Sequence, residues 1–259
     1  MNLSKFVQKV RDRNQREELY SKPAYWDSKA NQRQGYAVSL WENNCLNELY
    51  HLEQMERLEK ALPDLQGLDV LDIGCGVGRI ARWLADRGAR VVGADFSDKT
   101  IAIAQRLSSP GNPVYRVESV FEFNDKDSFD IIISTGLLVI ACRNRDQLSS
   151  ALTRLRESLR PGGKLFLMEP VHRGFLHRVL DLDIGEFCDV LAQAGFTVDS
   201  VEQMHFWPAR WLLAFIPWPK QVTTAGYRIG QAMMSLPLIG HMGDYKWVLA
   251  HRALVAQAL

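Results

Sequence analysis

At 259 residues, 47% of them hydrophobic and 24% charged, the chain has the make-up of a folded domain and not of a disordered or fibrous protein. Lys and Arg number 31 against 30 Asp and Glu, a balance that disfavours a nucleic-acid partner but by itself names no other. The four cysteines, Cys45, Cys75, Cys142 and Cys188, form no C-x-x-C pair and have no histidine at ligand spacing, so neither a disulfide framework nor a metal site is expected, and a reducing cytoplasm fits.

In chain order, residues 1–20 predict a basic surface helix (Lys5, Lys9, Arg11, Arg13, Arg16), too poor in apolar residues for a signal peptide. Tyr25, Trp26 and Tyr36 follow. A helix is predicted from Leu40 to Leu62, where Pro63 forbids continuation. Asp69 to Gly74 reads as a strand, "RIARWLADRG" as a helix ended by Gly88, and "ARVVGAD" as a second buried strand. Ser97 is placed to cap a helix over Asp98 to Leu107. A third strand is predicted at Val114 to Glu118, and a fourth at Phe129 to Thr135, whose isoleucine run suits a strand covered on both faces.

Leu148, Ala151, Leu152, Leu155 and Leu159 make one stripe of a helix over Gln147 to Leu159, with "RPGG" ending it and "KLFLMEP" opening a fifth strand. A helix over Ile184 to Ala194, a strand over Phe196 to Met204 and a last strand from Asp244 complete the pattern. Between those strands lies an aromatic-rich insertion, Phe206 to Gly243, too interrupted by proline for a membrane span. This alternation predicts an α/β fold: a doubly wound, mostly parallel seven-stranded sheet, Rossmann-like, with helices on both faces. One domain is expected, divided into a helical cap (1–63), a core (64–205), a lid insertion (206–243) and a final strand (244–259).

In "VLDIGCGVGR", Gly74, Gly76 and Gly78 let the chain turn sharply and bring bare backbone against a ligand. A dinucleotide fingerprint would need glycine where Arg79 stands, and no Gly-Lys-Ser/Thr follows for a phosphate loop. Asp95 closes the second strand, 23 residues after Asp72, where a carboxylate can accept from both hydroxyls of a ribose. An acid heading a helix is the plainer alternative.

Together, "VLDIGCGVGR", "VVGADFS", "FDIIIST" and "LRPGGKLFLMEP" resemble the class I S-adenosylmethionine-dependent methyltransferases, especially the small-molecule branch with the quinone-biosynthesis enzymes. The resemblance covers Leu65 to Pro170. It implies S-adenosylmethionine as cofactor and S-adenosylhomocysteine as product. Gly74, Cys75 and Gly76 would meet the methionine part through backbone, with Asp72 under its amino group. Asp95 would hold the ribose, Phe96 would pack on adenine, and Thr135 and Gly136 would line the other side. For the adenine amino group the third strand's end offers Glu118 or Ser119, with Val120 beside them. Tyr25, Trp26 and Tyr36 fall where similar enzymes fold over the cofactor.

Methyl transfer to oxygen also needs a proton acceptor. His172 and Glu169, after the fifth strand, are the candidates; a surface loop histidine and a structural carboxylate that hydrogen-bonds the N-terminal segment are their respective alternatives. Trp207, Trp211, Phe215 and Trp218, followed by Met233, Met234, Leu236 and Leu238, point to a lipophilic or aromatic acceptor, or to peripheral contact with a membrane surface through 206–219. His205 and His241 bound that insertion. The expected function is methyl transfer to a small acceptor, at oxygen. A macromolecule methyltransferase and a non-catalytic binder of the same cofactor are the alternatives.

Overall fold

The structure, a computed structural model, describes residues 15–32 and 41–253. Tyr36, Lys5, Lys9, Arg11 and Arg13 lie outside the described residues. The chain divides into two compact units, a helical one (1–63 with 203–245) and a sheet unit (64–202 with 246–259).

In the helical unit, α1 (Arg16–Tyr20) and α2 (Pro23–Gln32) bring Tyr20, Tyr25 and Trp26 into one aromatic cluster, with centroids 5.2–5.5 Å apart. The longest helix, α3 (Asn44–Ala61), starts four residues later than the apolar pattern suggests because Asn43 caps it. Its side chain accepts from the Leu46 N–H, satisfying one of the donors a helix start leaves bare. The same amide donates to Leu213 O and Thr223 Oγ1, each at 3.0 Å, which ties the cap to the insertion.

The sheet unit alternates as expected: β1 (Asp69–Ile73), α4 (Arg79–Ala85), β2 (Arg90–Asp95), α5 (Asp98–Arg106), β3 (Val114–Val117) and β4 (Phe129–Thr135). Ser97 does cap α5, accepting from the Thr100 N–H. A short α6 (Leu138–Ala141), absent from the sequence pattern, follows β4. Asn144 caps α7 (Arg145–Ser158), and its predicted leucine stripe is fully buried. Then come β5 (Leu159–Glu169), α8 (Ile184–Gln193) and β6 (Phe196–Phe206). The insertion forms α9 (Trp207–Leu213) and α10 (Lys220–Met234), before β7 (Gly243–Arg252).

One boundary is corrected. "RPGG" does not separate helix from strand: β5 already starts at Leu159, opposite Phe129, and the pairing resumes at Ile131 with Lys164, so Arg160 to Gly163 bulge out of the ladder. Arg160 anchors this bulge on Asp69 at 2.9 Å and Asp130 at 2.7 Å.

The sheet order is β3-β2-β1-β4-β5-β7-β6, with β7 antiparallel to β5 and the first five strands parallel. Ile131, Ile132 and Ile133 are buried in succession, as the doubly covered β4 requires. Each such side chain contributes about 1.5–3 kcal/mol by leaving water. Strand order reverses between β1 and β4, so the crevice for a ligand opens at their carboxyl ends.

Candidate active site

The predicted cofactor residues gather at that reversal. Asp72, on β1, is 2% exposed; it takes a hydrogen bond from the Ala81 N–H, yet its Oδ2 has no partner among the described residues. Burial pushes this carboxyl up to about 7, partly relieved by Arg79 and by the Ala81 bond and reinforced by Asp95.

Beyond β1 the loop is held by the neighbouring strand, since Gly74 N and Cys75 N both donate to Ala94 O, at 2.7 and 3.0 Å. The glycines then divide their work. A Cβ on Gly76, φ +53°, would meet nothing within 4 Å, which makes this the open side of the cradle. A Cβ on Gly78, φ +73°, would lie 2.1 Å from Tyr115 Oη, so the third glycine serves close packing. Cys75 is buried, and burial beside Asp72 pushes its thiol up, so it is inert filling.

Asp95 joins three elements. Its Oδ2 accepts from the Gly76 N–H at 3.0 Å, and its Oδ1 from the Ser97 N–H at 2.9 Å and Thr100 Oγ1 at 3.2 Å. It therefore heads α5, as the plainer of the two readings made from the sequence has it, and it also fixes the glycine loop. Phe96, half-buried, follows directly.

At the end of β3, Glu118 N donates to Asp95 O, and burial raises the Glu118 carboxyl. Ser119 starts a turn, its hydroxyl accepting from Phe121 N and its carbonyl from Glu122 N and Phe123 N. The Val120 side chain belongs to the core with Leu71 and Phe123, so its backbone is what it can offer a ligand. Across the crevice Thr135 Oγ1 is buried without a partner among the described residues, and Gly136 N donates to Met168 O.

Of the two predicted proton acceptors, Glu169 is occupied. It is fully buried, and Ser134 Oγ, Leu137 N, Leu138 N and Val139 N donate to it at 3.0–3.3 Å, making it the cap of α6. Burial lifts its carboxyl to about 7 against those four donors. That geometry gives it a structural role, but with residues 134–139 as its donors and not the N-terminal segment expected from the sequence. His172 lies three residues on, 9% exposed.

A buried acceptor at Asp72, an open flank at Gly76, a carboxylate at Asp95 and an unpaired hydroxyl at Thr135 fit a ligand with an ammonium group and a ribose. They supply no lysine and no phosphate cradle.

Known proteins agree. The methyltransferase domain family matches residues 70–163. Methyltransferase GfsG of Streptomyces halstedii is 34% identical over 163 residues, covering 60% of this chain and 54% of that protein. Ubiquinone biosynthesis O-methyltransferase of Rhizobium etli is 37% identical over 114 residues, 43% of this chain and 44% of that one. The chain thus spans about half the length of the curated relatives it matches. Among solved structures, magnesium protoporphyrin IX methyltransferase from Synechocystis with bound S-adenosylmethionine superposes with TM-score 0.58 at 18% identity, covering 93% and 97% of the two chains, a likeness of fold. Residues 70–163, which carry the glycine loop and Asp95, thus match a methyltransferase domain, and the chain is similar over this segment to S-adenosylmethionine-dependent methyltransferases, whose fold it shares.

Proposed function

We propose that this protein transfers the methyl group of S-adenosylmethionine to the oxygen of a small organic acceptor, releasing S-adenosylhomocysteine. The observation that carries the reading is the unpartnered, fully buried Asp72 Oδ2 beside the open flank of Gly76, a receptor for the cofactor's ammonium group. The cofactor supplies a methyl group already activated by a positive sulfur. The chain's own part is to align donor and acceptor and exclude water, worth about 7–11 kcal/mol at best. A hydroxyl acceptor must also lose its proton; with Glu169 committed to α6, His172 is the proposed base.

The acceptor is proposed to be lipophilic or aromatic. Trp211, Leu212, Ile216, Trp218, Val222 and Ile229 are exposed on α9, α10 and the loop between them. No Asp or Glu occurs from Phe206 to Gly243, while Lys220 and Arg228 are exposed there. Bulky apolar side chains mixed with cations and free of acids suit an anionic membrane surface, so a peripheral contact where lipophilic acceptors reside is part of the proposal. No described helix is long and apolar enough to cross a membrane.

The test is calorimetric titration with S-adenosylhomocysteine, with NADH as control, then formation of S-adenosylhomocysteine from S-adenosylmethionine over a panel of phenols, alcohols and amines. Saturable binding with turnover on hydroxyl compounds supports the reading. Binding without turnover on any acceptor would make the protein a cofactor binder, and silence with the nucleoside would remove the reading altogether.

A further inference from the structure

Helix α6 is too short to hold itself. It has four residues, Leu138–Ala141, and its N-cap is Leu137, whose side chain has no oxygen to offer. The N–H groups of Leu137, Leu138 and Val139 have no intrahelical carbonyl to meet. All three donate instead to the Glu169 carboxylate on β5, at 3.0, 3.1 and 3.3 Å, and Ser134 Oγ adds a fourth bond at 3.1 Å. Three of these bonds end on Oε1, and that of Val139 ends on Oε2. The turn leaving β4 is thus fixed from the neighbouring strand, and the Gly136 N–H, donating to Met168 O at 2.8 Å, closes it on the same strand.

The other side of this turn rests on the glycine loop. A Cβ on Gly74 would lie 3.1 Å from Leu137 Cβ and 3.1 and 3.2 Å from its two methyl carbons, so the Leu137 side chain sits directly on the first glycine of the cradle. Gly74, with φ +74°, is held in turn by the bond from its N–H to Ala94 O. Leu137 is only partly buried and packs against the core that contains Leu71, Ile73 and Leu138. A continuous chain of contacts therefore runs from a buried carboxylate, through a turn with no other side-chain cap, to the loop beside Asp72.

Burial disfavours a charge at Glu169, and a buried carboxylate is tolerated where donors surround it. An apolar side chain of similar size would fill the same space but leave four donors bare. The acid supplies a fixed position for residues 134–139, and through Leu137 a fixed position for Gly74.

We propose that Glu169 is a positioning residue for the methyl donor: acting through α6, it seats Leu137 on Gly74 and so sets the shape of the loop that receives the methionine end of S-adenosylmethionine. Glu169 itself touches no ligand, and no bond is made or broken. The inference rests on the proposed binding of that cofactor at the glycine loop and deepens it, by naming what holds the loop in register.

The experiment uses the full chain, with calorimetry of S-adenosylhomocysteine and urea unfolding of every variant. Glu169→Leu removes all acceptors and is expected to weaken the ligand roughly tenfold. Glu169→Gln, whose amide oxygen can take the three bonds that end on Oε1, is expected to restore affinity to within about threefold of wild type. Leu137→Ala keeps all four bonds to Glu169, since residue 137 donates through its backbone, and is expected to weaken the ligand comparably. If both residues act on Gly74 by one route, the double variant Glu169→Leu with Leu137→Ala binds about as the weaker single variant does, whereas independent effects multiply. In turnover, Glu169→Leu raises the KM for S-adenosylmethionine and leaves that for the acceptor in place, a split that a carboxylate important only for stability would not produce. Wild-type affinity in folded Leu137→Ala overturns the proposal without any change at Glu169. A glutamine variant as weak as the leucine one, or a double variant whose loss is the product of the single losses, overturns it too. Wild-type protein that fails to bind S-adenosylhomocysteine refutes the cofactor reading instead, so the two failures are told apart.

Discussion

Binding of S-adenosylhomocysteine is expected to strengthen about tenfold between pH 6 and pH 8, through one carboxyl. Asp72 is buried and held at about 7 in the ligand-free protein, far above its ordinary 3.8. The ligand's ammonium keeps its proton across this range and pairs with the ionised form. Roughly one Asp72 in eleven is ionised at pH 6 and ten in eleven at pH 8, so affinity changes by about ten, or ~1.4 kcal/mol. Stability of the free protein runs the opposite way. A carboxyl raised in the folded state contributes stability fully present below 3.8 and lost as pH rises through 7, on the order of 4 kcal/mol over the interval. The ligand's charge reverses that loss, so the melting shift it produces should be larger at pH 8 than at pH 6. Titration calorimetry at the two pH values, repeated in buffers of different ionisation enthalpy, reads both the affinity and about half a proton released at pH 7. Glu169 also titrates near 7 and Asp95 lies close by, so Asp72→Asn is the control: it should bind weakly and lose the pH dependence. Equal affinities at pH 6 and 8 with no proton release would refute the placement of the ammonium on Asp72.

The glycines should separate binding from folding. Gly76→Ala fills the open flank and should abolish measurable ligand binding while lowering stability by about 1–2 kcal/mol, whereas Gly78→Ala drives a methyl into a Tyr115 ring already pressed against Gly93 and should cost more stability, as read by urea unfolding. Asp95→Ala is expected to weaken S-adenosylhomocysteine by one to a few kcal/mol and also to free the Gly76 amide; unchanged calorimetric affinity in the folded variant would remove the ribose assignment. In the helical unit Asp244→Ala strands Arg210, which is 4% exposed, 3.2 Å from that carboxylate and stacked at 5.0 Å over Trp41, and a loss of about 3–5 kcal/mol should appear as a lowered melting temperature.

The sheet and the cofactor crevice were legible because their information is local. Glycines, a terminal acid and an isoleucine run each sit beside the element they shape, and β4 came out with its predicted bounds. Boundaries failed where a side chain acting at a distance set them: Asn43 delays α3, and the bond from Arg160 to Asp69 turns an apparent stop at "RPGG" into a bulge. Glu169 shows the same limit. Its place after β5 suggested chemistry, but the four donors that claim it come from residues 134–139, on the neighbouring strand's exit. In the helical unit, a buried cluster in which His205 Nδ1 lies 2.9 Å from Glu53 Oε2 and 3.1 Å from Tyr227 Oη was invisible for the stronger reason that its members are 152 and 22 residues apart, with no motif joining them. Only the unusual position of a histidine at a strand's end, next to the insertion, hinted at it.

The strand made last in this sheet lies inside it, between β5 and β6. During synthesis β1 to β5 can therefore pair in parallel as each emerges, with short βα connections and neighbours already present, and the residues that face the cofactor, 72 to 136, are complete early. β6 has no such partner: once made, it must wait with its edge bare until β7 arrives to bridge it to β5, leaving both strands open to mispairing. The Tyr50, Glu53 and His205 cluster shares that delay, because Tyr227 and Tyr245 are made after His205. A nascent chain would thus complete the residues of the crevice well before the buried cluster around His205 can close.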